Sequence, residues 1–367
     1  MFHISSLPAT RSYCGQFLDP ETDEFIDFLA KSKQTHWIMN PLFALGDDLC
    51  PYNSSGRFSK NKYLVNLNLL TKPEYGNLLK ESELPDDVTI ENFTLDNLQA
   101  QKDPRFKKAF ERFKKLPATH PLKIEYNRFD KENGNLWLNN YSTYDAISSL
   151  YGANWKNWSQ NFQMIPEAAK DTNNEIMSVF AAELFNEGKN SKEVKSALDK
   201  IDLYKFEQFL FNKQFNEFNK QLKDKNINLI LDLAIGVNPN GVDVWANKDI
   251  FLLDEKYEPL KISGCPSESE YPYTQRWGHP LFDYDSPKFW EYLEKSLKKL
   301  ITEADLRLDH FVGYINRAEI PLTYTKPDGT ILKGDQIFAP VEENGMGEGF
   351  FDESWISRID KKNKFTR

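Results

Sequence analysis

The stretch Leu306-Arg307-Leu308-Asp309-His310-Phe311 contains a short apolar, strand-like run that ends in the carboxylate of Asp309. A carboxylate at a strand end is typical of the catalytic mouth of a β/α barrel. The guanidinium of Arg307, two positions before Asp309, is expected to stabilise the charged form of that carboxylate. This is how a retaining glycosidase presents its nucleophile, although a structural Arg–Asp pair beside a strand gives the same six residues.

Three other segments also have patterns typical of β/α units. The run Ile227–Asp232 is apolar and also ends in a carboxylate, as expected of a buried parallel strand. Before it, apolar residues recur at i, i+4, i+7 and i+11 and predict the buried face of a helix that runs to about Asp224. These residues are Phe211, Phe215, Phe218 and Leu222. Trp37–Pro41 reads as a short strand, followed by a loop over residues 46–59 that carries Tyr52.

The segment before Asp309 has the pattern of a helix. Ser286 and Pro287 are predicted as its N-cap and first residue. Its apolar face is predicted to consist of Leu293, Leu297, Leu300 and Ile301. After the strand, Asp328-Gly329 predicts a hairpin turn, and helical patches are predicted at 104–114 and 174–188.

Composition limits the possible partners. The chain has 367 residues, 40% hydrophobic content and a formal net charge of -9, which argues against nucleic acid or an anionic membrane surface. Cys14, Cys50 and Cys265 are too few and too scattered for a disulfide framework or a zinc site. No signal peptide or apolar run of membrane-spanning length follows Met1. We expect a cytoplasmic protein without metal or cofactor.

Aromatic residues make up 14% of the chain, and flat rings are the platforms on which polysaccharide sites bind sugars. Several motifs occur in a fixed order between residue 3 and about residue 321. They are His3-Ile4-Ser5-Ser6-Leu7-Pro8, Cys50-Pro51-Tyr52-Asn53-Ser54, Trp137-Leu138-Asn139-Asn140-Tyr141, Trp155-x-x-Trp158, Asp232-Leu233, Asp243-Val244-Trp245, Gln275-Arg276-Trp277-Gly278 and the Asp309 stretch. Together they resemble the amylomaltases, 4-α-glucanotransferases of the α-amylase clan.

The resemblance implies a reaction and its substrates. It implies transfer of segments between maltooligosaccharides or other α-1,4-glucans by a retaining double displacement, with Asp309 as the nucleophile. Arg307 matches the residue that orients this carboxylate, and His310 one that donates to a sugar hydroxyl. A structural salt bridge for Arg307 and a wall position for His310 stay open as alternatives.

Four further positions match residues around the centre. Asp243 matches a carboxylate that binds a glucose hydroxyl, Tyr52 a donor-side contact and Trp277 an acceptor-side ring. Asp232 is interpreted either as a support of the site wall or as a cap of the next turn. Packing alone remains the alternative for Tyr52 and Trp277.

Departures from the family pattern occur beside these matches. Glu270 stands at an aromatic position of a glucan-retaining loop, where Tyr271 or Tyr273 could compensate. Asn240 replaces an aspartate, and Val312 follows Phe311 where an arginine is common.

The fold implied is an α/β (β/α)8 TIM-type barrel with an inserted helical subdomain, of which only the N-terminal half is expected here. Residues 1–69 would begin the barrel and carry a substrate-binding loop, and 70–200 would form the inserted helical subdomain. Residues 201–321 would supply the β/α units with the nucleophile strand, and 322–367 a divergent C-terminal segment.

A second carboxyl group is required as acid/base, about 5 Å from the nucleophile. The family motifs that carry it are not found after Pro321, and no such role is assigned to Glu342, Glu343, Glu348 or Glu353. We therefore expect a truncated chain, one half of a split enzyme or a divergent chain. The alternatives to a transferase are a non-catalytic glucan-binding remnant and an N-terminal half completed by a complementing C-terminal chain.

Overall fold

The structure is a computed structural model and describes residues 1–45, 50–86, 88, 92–266, 274–314, 316–333, 346–347 and 356–358. Its helices are α1 (Pro20–Lys31), α2 (Leu95–Lys115), α3 (Pro121–Asn133), α4 (Asn139–Tyr151), α5 (Gln160–Gln163), α6 (Ile165–Thr172), α7 (Ile176–Asn186), α8 (Ser191–Asp224), α9 (Val242–Ala246) and α10 (Pro287–Ile301). Its strands are β1 (His36–Met39), β2 (Asn228–Leu233), β3 (Lys261–Cys265), β4 (Thr274–Pro280), β5 (Asp305–Leu308), β6 (Asn316–Pro321), β7 (Thr323–Thr325), β8 (Ile331–Lys333), β9 (Met346–Gly347) and β10 (Ile356–Arg358).

A parallel sheet in the order β1-β2-β5 positions the candidate site. The three strand-like runs identified in the sequence form this sheet. Asp232 pairs in register with Arg307, and the backbone N–H of Asp309 continues the ladder by donating to the carbonyl of Leu233 at 3.2 Å. Because the strands are parallel, their carboxyl ends meet at one edge, so Asp232 and Asp309 lie side by side.

Helix α8 is the longest element, with 34 residues. The predicted stripe of Phe211, Phe215, Phe218 and Leu222 is buried, and the helix ends at Asp224 as expected. It packs against α2, α3, α4 and α7. The predicted boundary at residue 200 lies inside α8, and one cluster of buried apolar side chains extends from Ile4 to Leu300. The division into four segments therefore stays a prediction.

Helix α10, which precedes Asp309, begins where the sequence predicts, but one residue of its predicted apolar face is exposed. Ser286 is the N-cap of α10 and Pro287 its first residue. Leu300 is buried, but Ile301 is 62% exposed, because consecutive helical residues point about 100° apart and Ile301 leaves the apolar face. Phe289 occupies the buried face instead. The hairpin turn at Asp328-Gly329 is confirmed by the antiparallel pairing of β7 with β8.

Residues 261–321 depart from the predicted alternation of parallel strands and helices. An antiparallel sheet in the order β10-β6-β3-β4-β9 includes three strands from this range. The connection from Cys265 at the end of β3 to Thr274 at the start of β4 is too short for a crossover helix, which needs a dozen or more residues. This sheet brings Trp277 of β4 to the candidate site.

Glutamines on α8 attach the segment after the Tyr52 loop to the core. Gln214 accepts from the backbone N–H of Asn66 at 2.7 Å and donates to its carbonyl at 3.0 Å. Gln208 makes the same pair of bonds with Lys60, at 2.8 and 3.0 Å. Both glutamines are buried, so each satisfies two backbone groups that water cannot reach.

Gln214→Leu is expected to lower the free energy of unfolding by about 2–4 kcal/mol, because it leaves a buried N–H and a buried carbonyl of Asn66 without partners. Urea denaturation followed by circular dichroism measures the change. Asn216→Ala, at an exposed position of the same helix, is the control and should stay within about 0.5 kcal/mol of the parent. Equal stabilities of the two variants would contradict this role of Gln214.

Candidate active site

Four side chains form one hydrogen-bonded network at the carboxyl edge of the parallel sheet. Nη1 of Arg307 lies 2.6 Å from Oδ2 of Asp232 and 2.8 Å from Oδ1 of Asp309. The hydroxyl of Tyr52 donates to the same Oδ2 of Asp232 at 2.6 Å. The structure therefore brings together Tyr52, Asp232, Arg307 and Asp309, although they come from widely separated parts of the sequence.

The two carboxylates of this network differ in exposure. The side chain of Asp232 is 0% exposed, whereas that of Asp309 is 35% exposed and that of Arg307 is 46% exposed. Asp309 can therefore meet a ligand, and Asp232 cannot. Of the two interpretations offered for Asp232, this geometry favours support of the site wall.

Asp232 depends on the network for its charge compensation. Its Oδ2 receives both donors, and within the described residues its buried Oδ1 has no hydrogen-bond partner. A buried carboxylate is costly unless a cation is close. Arg307 therefore contacts the buried Asp232 and the exposed Asp309 at the same time, so the structural interpretation of Arg307 and a role beside Asp309 are compatible.

Tyr52 reaches the network from the loop after β1. Burial raises the pKa of its hydroxyl, and the hydrogen bond to Asp232 raises it further, while the charge of Arg307 lowers it. The hydroxyl therefore keeps its proton as a donor to Asp232. Asn40 contacts the same hydroxyl through Nδ2 at 3.3 Å. Sequence reasoning missed Asn40, although a polar residue directly after β1 is the available signal.

His310 and Trp277 form the neighbouring part of the site. Their rings meet edge to face, with centroids 4.7 Å apart and planes at 87°. His310 has a φ of 45°, a left-handed conformation that turns the chain directly after Asp309. A cavity of about 30 Å³ lies beside these rings. Gly313 lines this cavity, and a side chain there would collide with His310, because an added Cβ would lie 2.7 Å from its ring.

Asp243 is the predicted site residue that the structure places elsewhere. Its carboxylate is 1% exposed and accepts from the hydroxyls of Tyr141 at 2.5 Å and Tyr292 at 3.0 Å and from the backbone N–H of Arg57 at 2.7 Å. Burial and the nearby charge of Asp243 raise the pKa of both tyrosines. Three protein donors thus occupy the carboxylate, so in this structure Asp243 is not presented to a sugar hydroxyl as expected.

Arg57 lies close to the buried Asp243. Its side chain is buried, and its guanidinium carbon lies 5.8 Å from the ring centroids of Phe282 and Tyr292. The positive charge therefore lies in the same buried region as the carboxylate. The sequence analysis did not single out Arg57, because a lone arginine in a polar loop usually indicates an exposed position.

Several sequence predictions fall outside the described residues. These are the loop residues Glu270, Tyr271 and Tyr273 and the carboxylates Glu342, Glu343, Glu348 and Glu353. Within the described ranges, no group of three or more His, Cys, Asp or Glu side chains could hold a metal ion. In the same parts of the chain, no helix is both long and apolar enough to cross a bilayer.

The network contains one carboxylate that a ligand can reach, Asp309. An exposed carboxylate held by a guanidinium can act as a nucleophile or stabilise positive charge. Asp232 cannot exchange protons with a ligand, because it is buried and its Oδ2 is occupied by two donors. In the described part of the chain, Asp232 is the one further carboxylate in contact with Arg307.

Comparison with known proteins identifies similar sequences. Residues 2–345 match a family model described as 4-alpha-glucanotransferase. A 4-alpha-glucanotransferase of Clostridium butyricum is 30% identical over 355 residues, which cover 91% of this chain and 64% of the relative. One of Thermus thermophilus is 28% identical, covering 94% of this chain and 64% of the relative. The chain thus spans slightly less than two thirds of the length of these relatives.

Two solved structures have a similar fold. An amylomaltase from Streptococcus agalactiae in complex with acarbose superposes with a TM-score of 0.71 at 24% identity, covering 91% of this chain and 63% of that one. An amylomaltase from Corynebacterium glutamicum gives a TM-score of 0.62 at 17% identity, covering 91% and 43%. This likeness places the chain among α/β proteins with the amylomaltase fold.

Arg307→Gln is expected to lower the free energy of unfolding by about 1–3 kcal/mol, because it leaves the buried Asp232 without a cation. The effect is at the lower end for buried ion pairs, because solvent screens a half-exposed guanidinium. Urea denaturation of Arg307→Gln, Asp232→Asn and the double variant measures the coupling. Removing both charges should restore part of the stability. Strictly additive losses would contradict the proposed pairing.

Proposed function

The chain belongs to the 4-alpha-glucanotransferase family, and from this premise we propose that its site transfers α-1,4-glucan segments between maltooligosaccharides by a retaining double displacement. The observation that carries the proposal is the solvent-open carboxylate of Asp309, held at 2.8 Å by Arg307 at the end of a parallel strand. A strand end at the mouth of a β/α fold gives a nucleophile a rigid position.

The proposed reaction has two steps, and Asp309 takes part in both. In the first, Asp309 attacks the anomeric carbon, the glycosidic C–O bond breaks, and the leaving 4-oxygen takes a proton from an acid. In the second, the 4-hydroxyl of an acceptor glucan attacks the glucosyl carbon, its proton passes to the same group acting as base, and Asp309 is released. Arg307 orients Asp309 throughout.

Substrate contacts follow from the side chains that surround Asp309. Trp277 offers an aromatic face for an acceptor-side sugar, with His310 as a donor to a sugar hydroxyl. Tyr52 contacts Asp232 of the same network, and we assign to it a donor-side contact. Asp232 acts through Arg307 and Tyr52 and does not touch the sugar.

The acid/base carboxyl lies outside the described residues in this proposal. We propose that β1, β2 and β5 are adjacent strands of a (β/α)8 barrel whose remaining wall is formed by residues outside the described ranges. The exposure of Ile38 on β1, 37%, supports a sheet face that other elements cover. The acid/base would then stand on one of those elements, across the sugar from Asp309.

Three cysteines, all in described parts of the chain, form no disulfide. Thiols that stay reduced are usual in a reducing compartment, and on this ground we propose a cytoplasmic location.

A second candidate function is glucan binding without bond cleavage. The observation that favours it is the presence of one exposed carboxylate, Asp309, in the described network, where two are needed for turnover. Tyr52 and Trp277 would then act as a binding surface. Saturable glucan binding without product formation would distinguish this function from transfer.

The test of the proposed function is incubation of the purified chain with maltotriose, followed by chromatography. Glucose together with maltopentaose and longer products is the expected result of transfer. Glucose and maltose alone would indicate hydrolysis. A folded chain that binds maltotriose without products would overturn transfer by this chain and favour the second candidate.

Asp309→Asn is expected to reduce transfer roughly 1,000-fold or more, because the amide cannot form the glycosyl ester. Glucan binding should remain within about threefold of the parent, since the side chain keeps its shape. Chromatography of maltotriose products measures the rate, and calorimetry measures the binding. Asp305→Asn, at the exposed start of the same strand, is the control. Unchanged turnover in Asp309→Asn would refute its role as nucleophile.

A further inference from the structure

A polar pocket that shares no lining residue with the Asp309 network lies beside the Tyr52 loop. Its volume is about 180 Å³, and it is lined by Ser59 of this loop, by Asp145 and Ser148 of α4, by Tyr204 of α8 and by Asn240 before α9. We call it the Asp145 pocket. Tyr52 reaches Asp232 from the same loop, so one loop contributes side chains to the pocket and to the candidate active site.

Two buried polar atoms in this pocket lack protein partners. In the described part of the chain, Oδ1 of Asn240 and Oγ of Ser148 are buried without a hydrogen bond. Asp145, which is exposed, lines the pocket beside them. Buried polar atoms in native proteins almost always have partners. Oδ1 of Asn240 and Oγ of Ser148 therefore indicate a molecule that supplies hydrogen bonds within the pocket.

The other hydroxyls of the pocket are held in place. Tyr204 and Ser59 share a hydrogen bond of 2.6 Å between their hydroxyl oxygens. The hydroxyl of Tyr144 donates to the carbonyls of Ala153 and Asn240. The backbone of Asn240 is thereby fixed, while its side-chain oxygen keeps an open acceptor position. The pocket thus combines free acceptors with fixed aromatic walls.

Its size and charge restrict the ligand. A volume of about 180 Å³ is well above the space that a single water needs and suits one small ring. An anion would meet Asp145, and the described residues offer no grouping for a metal ion. Lys62 and Lys200 oppose the charge of Asp145, so a cation gains little. A neutral molecule with several hydroxyls fits best, because hydroxyls donate to Asp145, Asn240 and Ser148 while the ring packs on tyrosines.

We propose that the Asp145 pocket binds one neutral pyranose, either a free monosaccharide or the end unit of an α-1,4-glucan. This inference does not depend on the proposed transfer reaction. A bound sugar would contact Ser59 and thereby the loop that carries Tyr52, so its occupancy would also restrict the loop next to the candidate active site.

The test is calorimetric titration of the full chain carrying Asp309→Asn with glucose and, separately, with maltotriose. In this background Asp145→Leu removes the acceptor of the pocket, and Asn240→Leu is a second variant in case the first does not fold. Asp171→Asn, at an exposed position on α6, is the matched control. Trp277→Ala alters the candidate active site without changing the pocket.

Glucose is expected to bind saturably, with an affinity that falls at least tenfold in either pocket variant and stays unchanged in Asp171→Asn and Trp277→Ala. Maltotriose binding to the same pocket would identify the end unit of a glucan as a ligand, and its absence would restrict the pocket to free sugar. Absence of glucose binding, or binding that persists in a folded pocket variant, would overturn the proposal. Loss of glucose binding in Trp277→Ala alone would also overturn it by assigning the sugar to the active site.

Discussion

One guanidinium nitrogen of Arg307 lies within hydrogen-bond distance of two carboxylates, at 2.6 Å from Asp232 and 2.8 Å from Asp309. Asp232 is buried and needs a nearby cation, whereas Asp309 is partly exposed and needs a fixed position. The parallel pairing of β2 with β5 sets Arg307 opposite Asp232. The register of two strands therefore determines where the exposed carboxylate stands, and the remaining contacts of the site are arranged around that pairing.

The Tyr52 loop is held at two points by hydrogen bonds to buried carboxylates. Asp232 accepts the hydroxyl of Tyr52, and Asp243 accepts the backbone N–H of Arg57. Both carboxylates are buried, and each accepts hydrogen bonds from tyrosine hydroxyls and from an arginine, through the guanidinium of Arg307 for Asp232 and the backbone N–H of Arg57 for Asp243. Buried polar networks of this kind specify one arrangement when their members are satisfied. The same loop therefore contributes Tyr52 to the candidate active site and Ser59 to the Asp145 pocket.

Sequence reasoning predicted the elements that show a local periodic pattern. It missed the features that depend on contacts between residues far apart in the sequence. The stripe of α8, the start of α10 and the strands that end at Asp232 and Asp309 follow from local patterns. The burial of Asp243 does not, because it requires Arg57, Tyr141 and Tyr292 from three distant segments. The antiparallel sheet was missed because the resemblance to a barrel suggested parallel strands, although the short β3–β4 connection contains the contrary signal.

The central claim is that Asp309, positioned by Arg307, forms a covalent bond with a sugar. Incubation with 5-fluoro-α-glucosyl fluoride tests it directly, because fluoride leaves without a general acid and the ring fluorine slows release of the ester. The account predicts a glucosyl adduct in the intact mass, located on Asp309 by peptide mapping and absent from Asp309→Asn. An adduct on another residue, or a folded chain that binds the reagent without an adduct, would contradict it.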